Sequence, residues 1–197
     1  MKADIELQQR RLGKELAQPN QAAEDVHGLL LVFTGTGKGK SSAAFGMGMR
    51  ALTQNMKLGV VQFCGGSATS AEYQSMGQHP LCDFQICGTE CSWQSKDRHI
   101  DIANVNYAWS EAKRMIEDPS YGMVILDDIN LLLKHQYLNL DVVMQTLRRR
   151  RRDVHIVMTG RYAPFELIDF ADLVTEMRAV KHPFPNRAIP PQTGIEF

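Results

Sequence analysis

The chain has 197 residues, 44% of them hydrophobic and 22% charged, which suits one globular domain with a sizeable core. Lys plus Arg and Asp plus Glu number 22 each, so the formal net charge is zero and the basic excess of a nucleic-acid binder is missing. No apolar run is long enough to span a bilayer, and charges occupy the start (Met1-Lys2-Ala3-Asp4-Ile5-Glu6) where a signal peptide would be apolar. A cytoplasmic protein with no membrane and no nucleic-acid partner is expected, with Cys64, Cys82, Cys87 and Cys91 as reduced thiols. No Cys-x-x-Cys pair occurs, so no structural metal is expected at the cysteines.

Residues 1–27 are polar and charged, with no strong apolar face. They read either as a frayed tail or as an arm or lid that orders on a partner or ligand. Residues 28–197 read as one domain. Leu29-Leu30-Leu31-Val32-Phe33 is a short continuous apolar run, the pattern of a strand buried on both faces of a parallel sheet. A glycine-rich turn follows, then a helix from Ser41 to Leu52 rich in small residues. Gly46 and Gly48 weaken that helix, and close backbone approach is a reason for them to be there. Gly59-Val60-Val61-Gln62-Phe63 is the second strand and Phe84-Gln85-Ile86 a weaker third. A helix is predicted from about Ile100 to Glu117, then a buried strand, Met123-Val124-Ile125-Leu126, with Asp127 and Asp128 at its carboxyl end. A helix over 141–152, with Asp141 as N-cap, precedes the strand Val154-His155-Ile156-Val157-Met158. Thr159-Gly160-Arg161 turns out of it. A short helix opens at Pro164, and Leu173 to Met177 forms a last strand. Buried strands alternating with helices predict an α/β fold: a single domain of P-loop NTPase type, a mostly parallel sheet with helices on both faces.

The loop between the first strand and first helix carries the chemistry. The P-loop template is Gly-x-x-x-x-Gly-Lys-Ser/Thr between a strand and a helix. Gly39-Lys40-Ser41 fits its end, while the first glycine stands one residue late, at Gly35 instead of Thr34. Gly35, Gly37 and Gly39 let the backbone curl so that its N–H groups, with Thr36 among them, point inward. The helix adds its positive dipole end, and Lys38 and Lys40 add charge for phosphates. The Ser41 hydroxyl can ligate Mg²⁺, and Asp127 and Asp128 lie at the sheet edge where α/β proteins bind ligands, suited to the same ion. The other reading of those acids is a helix N-cap or an exposed turn. The run from Arg148 to Arg152 reads as a solvated helix end, where cations are favoured.

The stretch from Val32 to Gly46 resembles the P-loop of the ATP:corrinoid adenosyltransferases of the P-loop type, whose pattern is close to Phe-Thr-Gly-Asn-Gly-Lys-Gly-Lys-Thr-Thr-Ala-Ala. The likeness continues in order: Val60-Val61-Gln62-Phe63, Trp93, Val124-Ile125-Leu126-Asp127-Asp128, Thr159-Gly160-Arg161, Ala171 to Met177, Val180 to Phe184 and Gly194 to Phe197. It covers the chain from about residue 28 to the end, so 28–197 is expected to be a P-loop corrinoid adenosyltransferase domain.

The resemblance implies transfer of the 5′-deoxyadenosyl group of ATP to the cobalt(I) of a reduced corrinoid, with release of triphosphate. It implies ATP in reversed orientation, the P-loop gripping the terminal part of the triphosphate. Gly35, Thr36, Gly37, Lys38, Gly39, Lys40, Ser41, Ser42, Arg50 and Arg161 would bind the nucleotide. Mg²⁺ (or Mn²⁺) would sit on Ser41, Asp127 and Asp128. Lys40 and Trp93 would serve catalysis, the lysine at the leaving triphosphate and the indole at the lower face of the corrinoid. A homodimer, a separate reductase and an N-terminal lid are implied too. The chain departs from the pattern at Asp128, where the family has Glu, near Cys64-Gly65-Gly66, where a basic residue is common, and at Cys91, where an aromatic is expected. The alternatives are a P-loop ATPase or kinase-like protein, or a divergent relative that binds nucleotide or corrinoid as a carrier or sensor.

Overall fold

A computed structural model describes residues 27–87, 98–183 and 188–195. Its strands are β1 (Leu30–Thr34), β2 (Leu58–Gln62), β3 (Cys82–Ile86), β4 (Met123–Asp127), β5 (His155–Thr159) and β6 (Leu173–Glu176). Its helices are α1 (Lys40–Thr53), α2 (Ala71–Met76), α3 (Arg98–Glu117), α4 (Ile129–Lys134), α5 (Leu140–Arg149) and α6 (Phe165–Phe170). The strands form one sheet in the order β3-β2-β4-β5-β1-β6, every pairing parallel.

Alternation along the strands splits the core in two. Leu30, Val32, Val61, Val124, Leu126, Ile156 and Met158 face one side with Val105, Ala108, Trp109, Ala112, Met115 and Ile116 of α3. Leu31, Phe33, Leu58, Val60, Ile125 and Val157 face the other with Ala44, Phe45, Ala51 and Leu52 of α1. The buried positions of each helix recur at three- and four-residue spacing, the stripe an amphipathic helix lays on a sheet. Each fully buried Leu, Ile or Phe contributes about 1.5–3 kcal/mol relative to exposure. Gly48 earns its place here: a Cβ would stand 3.0 Å from Ile125 and Leu58 side-chain atoms, whereas one on Gly46 meets nothing within 4 Å. The expected close approach holds for Gly48 and not for Gly46.

Several local expectations shift. Two six-residue helices, α2 and α4, were not legible by periodicity. Helix α5 is capped by Asn139, whose Oδ1 accepts from the N–H groups of Asp141 and Val142, so Asp141 lies inside the first turn. The arginine run divides. Arg150 donates to Leu147 O and Asp172 Oδ2, and Arg151 donates to the carbonyls of Asp118 and Tyr121, so these two tie the helix end to neighbouring elements. Arg148, Arg149 and Arg152 are exposed. Cys82 and Cys87 are free thiols. Cys64 is disulfide-bonded, which corrects the expectation of four reduced thiols: compartment sets the redox poise but not which sulfurs the fold brings together. No helix among the described residues is long and apolar enough to cross a membrane.

Candidate active site

All parallel strands end at the same edge, so their last residues form a row. Gln62 pairs in register with Asp127, and Thr159 pairs with Phe33. Thr34 ends β1 beside them, and the glycine loop 35–39 carries the chain into α1. Gly35 has φ 94° and Gly39 φ 103°, a left-handed conformation favoured by glycine. A Cβ on Gly35 would stand 2.4 Å from Met177 O, and one on Gly37 2.8 Å from the backbone of Met177 and Arg178. The loop therefore lies directly on the chain leaving β6, and Gly37 N–H donates to Met177 O.

Helices α2 and α5 are capped by the side chains of Ser70 and Asn139. Helix α1 starts from Gly39 with no side-chain cap, leaving its first-turn N–H donors for a ligand. They open on a cavity of about 560 Å³ lined by Gly37, Lys38, Gly39, Lys40, Ser41, Ser42, Asp128 and Arg161. Lys40 Nζ donates to Gly37 O at 2.6 Å. Burial, and next the positive Arg161, lower its proton affinity, with Lys38 acting the same way and Asp128 opposing. A cavity edged by cations that press on one another is suited to a polyanion.

The two acids do different things. Asp127 is 3% exposed and does not line the cavity: Thr159 Oγ1 donates to its Oδ1 at 2.7 Å, Gln62 Nε2 to its Oδ2 at 3.4 Å, and it is in hydrogen-bond contact with Ser41. Burial raises its proton affinity, and the Thr159, Ser41 and Gln62 hydrogen bonds offset part of that. Asp128 lines the cavity, in left-handed backbone conformation at φ 60°. Burial, then the neighbouring Asp127, push its pKa up to about 6. It stands at the N-cap position of α4 but makes no side-chain cap hydrogen bond, so capping does not account for it.

Of the residues expected at the site, Gly37 to Ser42, Asp128 and Arg161 line one cavity, with Asp127 behind them. Gly35 and Thr36 shape the loop without lining the cavity. Arg50 does not join them. It is exposed in the last turn of α1, ten residues along, about 15 Å from the helix start at 1.5 Å per residue. Trp93, Cys91 and residues 1–26 of the arm lie outside the described residues. Glu72, Leu131, His182, Gly194 and Ile195 also line the cavity and were not anticipated, because their proximity arises from tertiary folding. Gln62, Thr159 and Asn130 are buried polar residues at the same edge. Polar residues closing apolar strands were the available signal for the first two.

The model of the family described as ATP:corrinoid adenosyltransferase BtuR/CobO/CobP matches residues 26–197. The chain belongs to this family. The corrinoid adenosyltransferase of Pseudomonas aeruginosa is 45% identical over 176 residues, which cover 89% of this chain and 86% of that one. That of Escherichia coli K12 is 36% identical over 189 residues, covering 96% and 95%. Corrinoid adenosyltransferase CobA of Salmonella typhimurium is 36% identical over 175 residues, covering 89% and 88%. This adenosyltransferase is thus an alkyl-transferring enzyme with ATP and a corrinoid as substrates. The resemblance read from the loop and late motifs holds over nearly the whole described chain.

Proposed function

We propose that this chain adenosylates its corrinoid at the mouth of the cavity above the loop, with the triphosphate of ATP held by Lys38, Lys40, Arg161 and the open N–H groups of α1. The observation that carries this is the convergence of those cations and donors on one cavity, with Asp128 facing it. The lone pair of cobalt(I) attacks the ribose 5′-carbon, and the C5′–O bond breaks with its electrons leaving on the triphosphate. No proton has to be removed from the nucleophile, so the site needs no general base. What it must do is hold a growing negative charge, and the cluster of Lys40, Lys38 and Arg161 supplies preorganised donors for it.

The residues fit a divalent cation. Mg²⁺ (or Mn²⁺) takes hard oxygen ligands; the Ser41 hydroxyl and Asp128 carboxylate on the cavity wall would supply them, with the Asp127 carboxylate behind, hydrogen-bonded to Ser41. Burial pushes both carboxylates toward protonation, a cost that a bound cation would offset. When bound, the ion neutralises charge on the leaving triphosphate. Asp128, shorter than the family's Glu, would hold the ion through water instead of directly.

Trp93 contacts the lower face of the corrinoid and displaces the axial ligand, a wedge weakened by Cys91. The enzyme works as a cytoplasmic homodimer served by a separate reductase, with residues 1–27 as a lid. Incubation with ATP, Mg²⁺ and chemically reduced corrinoid tests the central reading: the cobalt–carbon bond is followed by visible absorbance and triphosphate by chromatography. ADP and phosphate as products would make the chain an ATPase or kinase-like protein, and binding without product a carrier or sensor.

A further inference from the structure

Thr159 closes β5 and is fully buried. A buried β-branched position of this kind accepts valine on packing grounds alone, so the hydroxyl calls for a separate reason. Its oxygen donates to Asp127 Oδ1 at 2.7 Å and accepts the Asp128 N–H at 2.9 Å. One hydroxyl thus spends its donor and an acceptor on two consecutive residues, the two acids of the site.

Those two bonds act on different things. The first fixes the rotamer of Asp127, whose carboxylate reaches Ser41 on the neighbouring helix. The second holds the peptide of Asp128, whose left-handed backbone (φ 60°, ψ 21°) is a conformation that side chains other than glycine rarely adopt. That backbone is what puts Asp128 on the cavity wall while Asp127, one residue earlier, points into the sheet edge. Thr159 is itself held. Asn130, also fully buried, donates from Nδ2 to Gly160 O at 3.1 Å and to Phe33 O at 3.5 Å. This ties the end of β5 to the end of β1, where the glycine loop begins.

We infer that Thr159 is a positioning residue of the reaction: its hydroxyl sets Asp127 against Ser41 and Asp128 toward the triphosphate, and so fixes where the divalent cation is held. The inference rests on the proposed role of those acids. Thr159 is fully buried and does not line the cavity.

Three variants decide it. Thr159→Val keeps the shape and removes both bonds, Thr159→Ser keeps both bonds and removes a buried methyl, and Thr159→Ala removes both. Mn²⁺ affinity of the protein–ATP complex, read by electron paramagnetic resonance without corrinoid, is the first readout. Turnover and KM for each substrate form the second, and thermal unfolding the third. Thr159→Val is expected to weaken Mn²⁺ binding and lower kcat by about ten- to a hundredfold, the range found for groups that orient metal ligands, with KM for the corrinoid little changed. Thr159→Ser is expected to restore both to near wild type although it loses a buried methyl, so a role in stability alone would leave it impaired. Wild-type Mn²⁺ affinity and kcat in Thr159→Val, or a Thr159→Ser variant as impaired as Thr159→Val, overturns the inference. Should the valine variant fail to fold, Thr159→Ala against Thr159→Ser makes the same comparison. A wild-type enzyme that forms no cobalt–carbon bond defeats the functional reading instead, and the Mn²⁺ series still judges Thr159.

Discussion

Replacing Lys40 by alanine separates holding the nucleotide from releasing it. Lys40 opens α1, lines the cavity beside Lys38 and Arg161, and donates to Gly37 O at 2.6 Å. A hydrogen bond to a charged group contributes about 1.5–3 kcal/mol. At about 1.4 kcal/mol per factor of ten, that corresponds to a roughly 10- to 150-fold loss of ATP affinity. Binding should survive in weakened form, because Lys38, Arg161 and the α1 N–H groups remain. Turnover should be abolished, because the lysine is needed most where the departing triphosphate gains charge. Stability without ligand should change by less than about 1 kcal/mol, since the lost Gly37 contact and the relieved repulsion from Arg161 and Lys38 oppose each other. Titration calorimetry gives the affinity, absorbance the cobalt–carbon bond, and a melting curve the fold. Unchanged ATP affinity and turnover in a folded Lys40→Ala protein would refute the assignment of the loop.

Gly35→Ala should destabilise the fold by about 1–3 kcal/mol and weaken ATP binding, from its positive φ and the close approach of Met177 O. Gly46→Ala, with open space around it, should stabilise α1 by roughly 0.5–1 kcal/mol, so melting curves of the pair must move in opposite directions. Asp127→Asn and Asp128→Asn should each raise the Mg²⁺ concentration needed for half-maximal turnover; an Asp128→Asn enzyme with normal Mg²⁺ dependence would leave Asp127 holding the ion alone. Cys82, pushed up to about 11 by burial and then by Asp83, has its thiolate suppressed below that pH. Native protein at pH 8 should therefore resist iodoacetamide there, and rapid labelling found by mass spectrometry would contradict this. Trp93→Ala should lower the four-coordinate cobalt(II) signal and the rate with a weak reductant while leaving ATP affinity nearly constant; a kinetically silent variant would move the corrinoid elsewhere.

Much of the fold was legible because the central buried strands write themselves as short apolar runs. All six strands fall on segments predicted as strands, and α1 and α3 on segments predicted as helices, to within a few residues at their ends. Helices α2 and α4 escaped because six residues hold less than two turns and show no period. The arginine run was read as a solvated helix end. That suits Arg148, Arg149 and Arg152, but a side chain's fate depends on which carbonyls lie nearby, and Arg151 finds those of Asp118 and Tyr121 more than twenty residues away in sequence.

The sequence by itself determined the phosphate loop. Gly35 to Ser41 is contiguous, and the strand, turn and helix around it are local structures built from local residue preferences. It also named the acids, since Asp127 and Asp128 end a run too apolar to be anything but a buried strand. Only the tertiary structure decided how the two acids differ. A parallel sheet with β4 between β2 and β5 brings Gln62, Asp127 and Thr159 into one row at the carboxyl edge, from three separate parts of the chain. Strand order and register are set by core burial summed over the whole sheet, and no local pattern encodes that sum. The same register leaves Arg50 at the far end of α1 and sets Arg161, which follows β5, beside Lys40.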